Sequence, residues 1–529
     1  MKTFVIAYDI GTTGIKTCLF EIDEKIKMVG SAMAGYNLYV FDDGGAEQDA
    51  DEWWNAMCVT TKEVISKTGV KPSDVQGISF CSQMQGMVLV DKDCNAVRRP
   101  MSYMDQRGKA QIKKYLAYGP QIAGANIFKL AKAMYHTGVV PASVKDPVWK
   151  YKWVEANEPE NFEKAYKWLD VKEYLIARCT GEFVMTEDSA FATLLMDKNG
   201  KEWSIPTAKM FGVKLDHLAK IIKSTDLVGG LTKKASEELG LSEGTKVFGG
   251  GGDASLIGVG AGSVDVGDTH VYSGTSGWVS TIVDKQTVDV MTMIAAIRGA
   301  QTGKFNYFAE METSGKSLEW VKNHLALDEI GIYLKKEDVA ESIETEYTSL
   351  YQYMTEVIST VPAGSGGVIF TPWLHGNRCP FEDPYATGMF FNIKLETGKT
   401  ELIRAVLEGI CYHKRWMLEC EEKKFKVSDK IRFVGGGALS SATCQILADI
   451  TGKTIETIDE PQNVGAVGAA AIMGVGLNII PNIEKVKDFI PVTAVYTPNM
   501  ENKKVYDKQY EVFKRLYKTN KKSFHMLNE

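Results

Sequence analysis

An apolar run, Phe4-Val5-Ile6-Ala7-Tyr8-Asp9-Ile10, empties into Gly11-Thr12-Thr13-Gly14-Ile15-Lys16, and a second apolar run follows from Thr17 to Phe20. The pattern reads as two strands joined by a hairpin whose tip carries small hydroxylated residues and bare backbone N–H groups. Such a tip can wrap a phosphate, and a carboxylate placed like Asp9 can hold Mg2+ beside it through oxygen. Alone, a Gly-Thr-Thr-Gly segment is an ordinary Gly-rich turn. It does not stand alone. A second copy, Val271-Tyr272-Ser273-Gly274-Thr275-Ser276-Gly277-Trp278-Val279, repeats strand, tip and strand near the middle of the chain. Two such hairpins in one chain point to two related halves closing on one nucleotide.

A chain of 529 residues is too long for one core, so at least two large domains are expected. Its 44% hydrophobic and 24% charged content is ordinary for a soluble protein. A net charge of -6 without a long basic stretch argues against nucleic acid as a partner. The basic cluster Lys514 to Lys522 lies on a helical pattern with Tyr506, Tyr510, Phe513 and Tyr517, which suits a terminal helix docking one aromatic face. No apolar run is long enough to span a bilayer, and the N-terminus lacks the layout of a signal peptide. Nine scattered cysteines without a C-x-x-C pair fit reduced thiols in the cytoplasm. Seven histidines without metal spacing give no support to a transition metal. Nothing in the sequence distinguishes a monomer from a homodimer.

Val75 to Phe80 and Met87 to Val90 are strand-like, and Trp53 to Lys67 reads as an amphipathic helix, so the architecture is α/β. The Gly-dense stretch Val247 to Gly262, which contains Gly249-Gly250-Gly251-Gly252-Asp253, is placed as the junction between an N-terminal lobe, 1–260, and a C-terminal lobe, 261–529. Residues from about 280 to 360 read as an insert of mixed character. Thr400 to Ile410 is a helix with Thr400 as its N-cap. Ile431 to Val434 is a strand leading into Gly435-Gly436-Gly437-Ala438, before a helical pattern from Cys444 to Ile450.

Taken in order, these segments resemble the FGGY carbohydrate kinases, most of all the xylulokinases, from residue 4 to about 475. Asp9-x-Gly11-Thr12-x-x-x-Lys16 and Gly274-Thr275-Ser276-Gly277 resemble the family's two phosphate motifs, and Gly250-Gly251-Gly252-Asp253 the segment bearing its catalytic base. Gly435-Gly436-Gly437-Ala438-x-Ser440 resembles the adenosine motif, and Ser82-Gln83-Met84-Gln85-Gly86 falls where xylulokinases carry a Gln-Met-His-Gly sugar turn. The resemblance implies a two-lobed actin-like ATPase fold, each lobe a ribonuclease-H-like mixed sheet with flanking helices. It implies ATP in the cleft and a small sugar held mainly by the first lobe. Asp253 would be the base, and Asp9, with Asp253 beside it, would hold Mg2+. Gly11, Thr12, Thr13 and Lys16 would meet the terminal phosphates from one side, Gly274 and Thr275 from the other. Gly436, Gly437, Ala438 and Ser440 would receive adenosine. Gln83, Met84, Gln85, Tyr103, Asp105 and Asp253 would form the sugar site.

Plainer readings stand beside these. Asp253 could be a helix N-cap, Lys16 a solvated lysine, Gly435 to Gly437 a tight strand-to-helix turn, and Asp105 with Arg107 a structural ion pair. The sugar site also departs from the xylulokinase pattern: Gln85 replaces His, Tyr103 stands near an expected Trp, Asn377 replaces a frequent Glu, and Ala254 a frequent Asn or Gln. D-xylulose is the first expected substrate; another ketose, a tetritol or a pentitol fits the same chemistry. A rival of another class is an actin- or Hsp70-like conformational ATPase, and a third is a degenerate sugar sensor. The presence of both Asp9 and Asp253 favours a kinase over a sensor.

Overall fold

Strands Thr3–Ile10 and Gly14–Ile22 pair antiparallel, Asp9 opposite Lys16, and Gly14–Ile22 continues into Ile26–Gly35. Their apolar residues run nearly unbroken because both faces of this sheet are covered. In the computed structural model, which describes residues 2–122, 124–289, 291–325 and 358–529, the sheet order is Leu227–Gly230, Lys246–Phe248, Val75–Ser82, Thr3–Ile10, Gly14–Ile22, Ile26–Gly35. Val75–Ser82 runs parallel to both Thr3–Ile10 and Lys246–Phe248, while Leu227–Gly230 closes the edge antiparallel.

The second sheet repeats this plan. Thr269–Ser273, Gly277–Val283 and Phe305–Met311 form the antiparallel meander, Lys430–Val434 and Thr454–Ile458 add in parallel, and Val492–Tyr496 closes the edge antiparallel. Ile294–Arg298 and Val288–Asp289 extend the meander side. The part of the expected insert up to Met311 is therefore sheet, followed by the helix Gly315–His324; residues 326–357 lie outside the described residues.

Helix Ala50–Thr68 backs the first sheet. Asp49 caps it by accepting from Asp51 N at 2.9 Å, and Gly69, at φ 69°, ends it. Its counterpart, Lys399–Glu422, backs the second sheet. Thr400 is not its cap: the N-cap is Gly398, whose amide donates to Glu401 Oε2 at 3.1 Å. The C-terminal helix Met500–Asn528 docks Tyr506, Tyr510, Phe513 and Tyr517 into the same core, as its aromatic spacing predicts.

Two helices join the halves. Asp253–Gly260 crosses Val464–Gly476 so closely that a Cβ on Gly260 would lie 2.0 Å from the Val464 carbonyl oxygen, and one on Gly468 2.2 Å from that of Leu256. One apolar cluster unites Val5, Ala7, Cys18 and Phe20 of the first sheet with Leu256, Ile257 and the residues from Val464 to Met473. The Gly-dense segment is thus no loose hinge. Gly251–Gly252 pairs with Val75–Ser82, and a Cβ on Gly250, at φ 66°, would lie 2.2 Å from Phe80 O. Among the described residues no helix is long and apolar enough to cross a membrane.

Candidate active site

Register brings the acidic residues together. Asp9 lies beside Cys81 on the parallel neighbour, and Cys81 lies beside Gly251, so Asp9 and the Gly252–Asp253 corner share one end of the sheet. Asp253 opens the helix Asp253–Gly260, its Oδ1 accepting from Ala254 N at 2.7 Å; the N-cap position belongs to Gly252. Burial pushes the Asp253 carboxyl up to about 7 against the pull of that bond, and the charges of Asp9, Glu310 and Asp188 add to the rise. Asp9 is likewise raised by burial, with Lys16 and a hydrogen bond from Cys81 opposing. Buried Asp188 accepts the Gly252 amide on Oδ2 at 2.7 Å and so holds the peptide before Asp253.

Both hairpin tips turn their carbonyls inward. In the first, Gly11 O and Gly14 O accept from Tyr36 Oη at 2.5 and 2.9 Å, Thr13 O from Tyr36 N at 3.0 Å, and Thr12 O from Gln48 Nε2 at 2.6 Å. In the second, Gly274 O accepts from Gly315 N at 2.8 Å and Thr275 O from Ser314 N and Lys316 N at 3.2 and 3.1 Å. With their carbonyls tied back, Thr12, Thr13, Gly274 and Thr275 present an edge suited to an anion, while Gly11 N closes the first tip on Gly14 O at 2.9 Å. Lys16 Nζ donates to Asn463 Oδ1 at 2.6 Å, just before the helix Val464–Gly476. It bridges the halves and is not a solvated lysine.

The Gly-rich turn before Ser440 packs on the second hairpin. A Cβ on Gly435 would lie 2.6 Å from Ser273 O, and one on Gly437 2.7 Å from Ser273 Cβ, so packing against the second hairpin already demands glycine there. Gly436 keeps partial exposure and Ala438 is buried. Ser440 is the N-cap of Ser441–Thr451, accepting from Thr443 N at 3.2 Å.

Around the sugar turn the predicted residues separate. Met84 packs on the corner below Asp253: a Cβ on Gly252 would lie 2.1 Å from Met84 Sδ. Gln85 is half-buried at φ 63°. Gln83 is buried, donating from Nε2 to Gln48 Oε1 at 2.9 Å, and its Oε1 has no partner among the described residues. Tyr103 Oη lies 3.4 Å from Thr12 Oγ1, linking the turn side to the first tip. Asp105 is fully buried; its carboxylate takes Arg107 Nη2 at 2.6 Å and Ala46 N at 2.9 Å, as the ion-pair reading has it. Asn377 is also buried, donating to Cys379 O and Phe381 O at 3.0 and 2.8 Å.

Several residues near the site carry no motif. Glu310, from the second lobe, accepts from Arg378 Nη1 at 2.5 Å; burial raises its carboxyl, and Glu312 and Lys145 stand close enough to affect it. The charges of Asp253, Glu310 and Glu312 all raise the Tyr103 hydroxyl, after burial. Their only sequence signal is a carboxylate ending an alternating strand.

Two family profiles fit this arrangement: that of the FGGY carbohydrate kinase N-terminal domain over residues 4–260, and that of the C-terminal domain over 270–477. The chain belongs to the FGGY family of carbohydrate kinases. A xylulose kinase of Staphylococcus epidermidis is 28% identical over 98% of both chains, and a gluconokinase of Bacillus subtilis is 26% identical over 97% of this chain and 95% of its own. Among solved structures, a gluconate kinase of Lactobacillus acidophilus superposes with a TM-score of 0.82 at 25% identity over the whole of both chains. A ligand-bound xylulose kinase of the same organism gives 0.82 at 25% over 99% of this chain and 100% of its own. The FGGY chain is thus a sugar phosphotransferase with the two-domain, actin-like kinase fold, and ATP is its family's phosphate donor.

Proposed function

We propose that this FGGY kinase transfers the γ-phosphoryl group of ATP to a hydroxyl of a neutral ketose, D-xylulose first among them, to give D-xylulose 5-phosphate. The observation that carries the transfer is the Gly252–Asp253 corner, pressed against Met84 of the sugar turn and faced by two tips with tied-back carbonyls. The substrate hydroxyl oxygen attacks the γ-phosphorus, the bond to the β–γ bridging oxygen breaks, and the hydroxyl proton passes to the Asp253 carboxylate. A half-buried carboxylate with hard oxygen donors fits Mg2+, and Asp9 is the residue that would hold it, with Asp253 nearby. When bound, Mg2+ would spread the negative charge that develops on the phosphates. Thr12, Thr13 and Lys16 would hold the terminal phosphates from the first lobe, and Gly274 and Thr275 from the second. Gly436, Gly437 and Ala438 would lie along adenosine. On this reading residues 1–260 and 261–529 are the two working lobes, and nine free thiols support a reducing, cytoplasmic setting.

The relatives include kinases of both xylulose and gluconate, so charge at the site must separate a neutral acceptor from an anionic one. Asp253, Glu310 and Glu312 place three carboxylates around Tyr103, and the nearby Arg378 is paired with Glu310. A gluconate carboxylate would enter a field of its own sign, whereas a ketose meets only acceptors for its hydroxyls. The test is ADP release with Mg-ATP against ketoses, aldoses, polyols and gluconate, with Asp253→Asn beside it. D-xylulose should raise turnover far above the sugar-free rate, and the variant should lose transfer while keeping ATP binding. Preference for gluconate would overturn the charge argument; sugar-independent turnover would favour a conformational ATPase.

A further inference from the structure

Under the sugar turn lies a cluster of buried charge that the transfer chemistry does not use. Lys150, fully buried on the helix Pro147–Asn157, donates from Nζ to the Gln85 carbonyl oxygen at 2.7 Å. Asp170, buried at the start of the helix Val171–Thr180, accepts the Gly86 amide on Oδ1 at 3.0 Å and Val171 N on the same oxygen at 2.8 Å. The two bonds grip opposite ends of one peptide unit, the C=O of Gln85 and the N–H of Gly86. Glycine at 86 is what admits the carboxylate: a Cβ there would lie 2.7 Å from Asp170 Oδ1.

That grip fixes ψ of Gln85 and φ of Gly86, the two torsions about which this peptide would turn. Gln85 holds φ 63°, a left-handed conformation that an L residue with a long side chain avoids. Turning the 85–86 peptide over would aim its N–H at the Lys150 ammonium and its C=O at the Asp170 carboxylate, and both encounters repel. Burying an ammonium is itself costly. Here the carboxylates of Asp105, Asp170 and Asp146 surround Lys150 and offset part of that cost.

We propose that Lys150 and Asp170 are positioning residues that clamp the Gln85–Gly86 peptide and thereby set how tightly the site holds its sugar. The clamp rests on the sugar-kinase reading above, because it acts through Gln85. It acts on the turn alone: Met84, on the other side of Gln85, is already held against Gly252.

The test compares Lys150→Met, Gln85→Ala and the double variant in steady-state kinetics with D-xylulose and ATP. Lys150→Met should raise the KM for D-xylulose about tenfold, the worth of one hydrogen bond to a charged group, and leave the KM for ATP within about twofold. The double variant should be no worse than Gln85→Ala alone. Conversely, Asp170→Asn, which keeps both an acceptor and a helix cap, should stay near the parent. An equal rise in the KM for ATP, or full additivity in the double variant, would overturn the clamp. If Lys150→Met does not fold, Asp170→Ser keeps the cap, drops the Gly86 bond and must show the same pattern. An unchanged sugar KM in Gln85→Ala would instead refute the sugar-turn reading. If D-xylulose is inert with the parent enzyme, the substrate reading fails, and the same comparison is made with the best acceptor of the panel above.

Discussion

Asp253 carries two opposed demands. Its carboxyl lies near 7 in the folded chain against an ordinary 3.8, chiefly through burial. The folded state therefore binds this proton more tightly than the unfolded chain does. Stability from the group is complete below about 3.8 and is lost as pH rises through about 7. At pH 8 the ionised carboxylate costs stability, and Asp253→Asn should melt higher than the parent in the absence of nucleotide and Mg2+, by on the order of 1 kcal/mol. The gap should shrink as the melts are repeated down to pH 5. A parent more stable than the variant at pH 8 would mean that burial does not penalise the ionised Asp253 carboxylate. Asp9 and Asp253 stand out in the sequence, because each lies at the end of an apolar or glycine run where a charge needs a reason. Asp105 stood between a sugar contact and an ion pair with Arg107, since a motif position does not reveal which way a carboxylate turns; the bond to Arg107 favours the pair. Gly435 and Gly437 teach a related point. Glycine marks a close approach without saying to what, and here the neighbour is Ser273. Lys150 and Asp170 left a fainter trace, charges set among Trp149, Tyr151, Trp168 and Leu169. Only the fold shows them meeting at one peptide.

Helices were readable by period and misjudged at their ends. The helix Lys399–Glu422 follows its apolar stripe, but Thr400 lost the cap to Gly398, because Glu401 reaches back to the Gly398 amide and the cap lies two residues earlier. Less visible still was what the glycines of Asp253–Gly260 and Val464–Gly476 are for. The crossing uses the missing side chains to bring two backbones into contact. Gly260→Ala and Gly468→Ala would each drive a methyl group into a carbonyl oxygen, at 2.0 and 2.2 Å, where no side-chain rotation relieves the clash. Each should lower stability by about 2 kcal/mol in urea or thermal melts, the cost of overpacking a close-packed contact. Near-neutral effects would show that the helices can separate freely, and the tight crossing would then lose its meaning. Both substitutions also alter the element that carries Asp253, so the loss of turnover should exceed what the unfolded fraction explains.

At the scale of the molecule, the repeated hairpin was the decisive clue to duplication, and six strands of each sheet follow it in the same order. The stretch from 280 to 311 was misread as an insert because its short strands, Val288–Asp289 and Ile294–Arg298, lack a counterpart in the first half. Nor could periodicity foresee that Val464–Gly476, late in the chain, would cover the first sheet and make the halves share one apolar cluster. That sharing has a mechanical consequence. The crossing is apolar and tightly packed, whereas many contacts between the halves elsewhere are polar, beside the packing of Ile297 on the first core: Lys16 to Asn463 at 2.6 Å, Gln286 to Thr137 O at 3.0 Å, Thr302 to Glu187 at 3.0 Å, and the looser Arg298–Glu187 pair at 3.6 Å. Polar bonds of this kind exchange partners with water at little cost, while separating the crossing would expose apolar surface. Motion should therefore pivot at Gly260 and Gly468 and open or close the tips on either side of the cleft. Bridging a nucleotide between the Gly11–Gly14 and Gly274–Gly277 tips, with a sugar against Asp253, gives closure new bonds that neither ligand supplies alone. In small-angle scattering, a non-hydrolysable ATP analogue together with D-xylulose should reduce the radius of gyration more than either does singly. An unchanged radius with both bound would mean that the cleft is already set for transfer, and that water is excluded by the ligands and not by movement of the lobes.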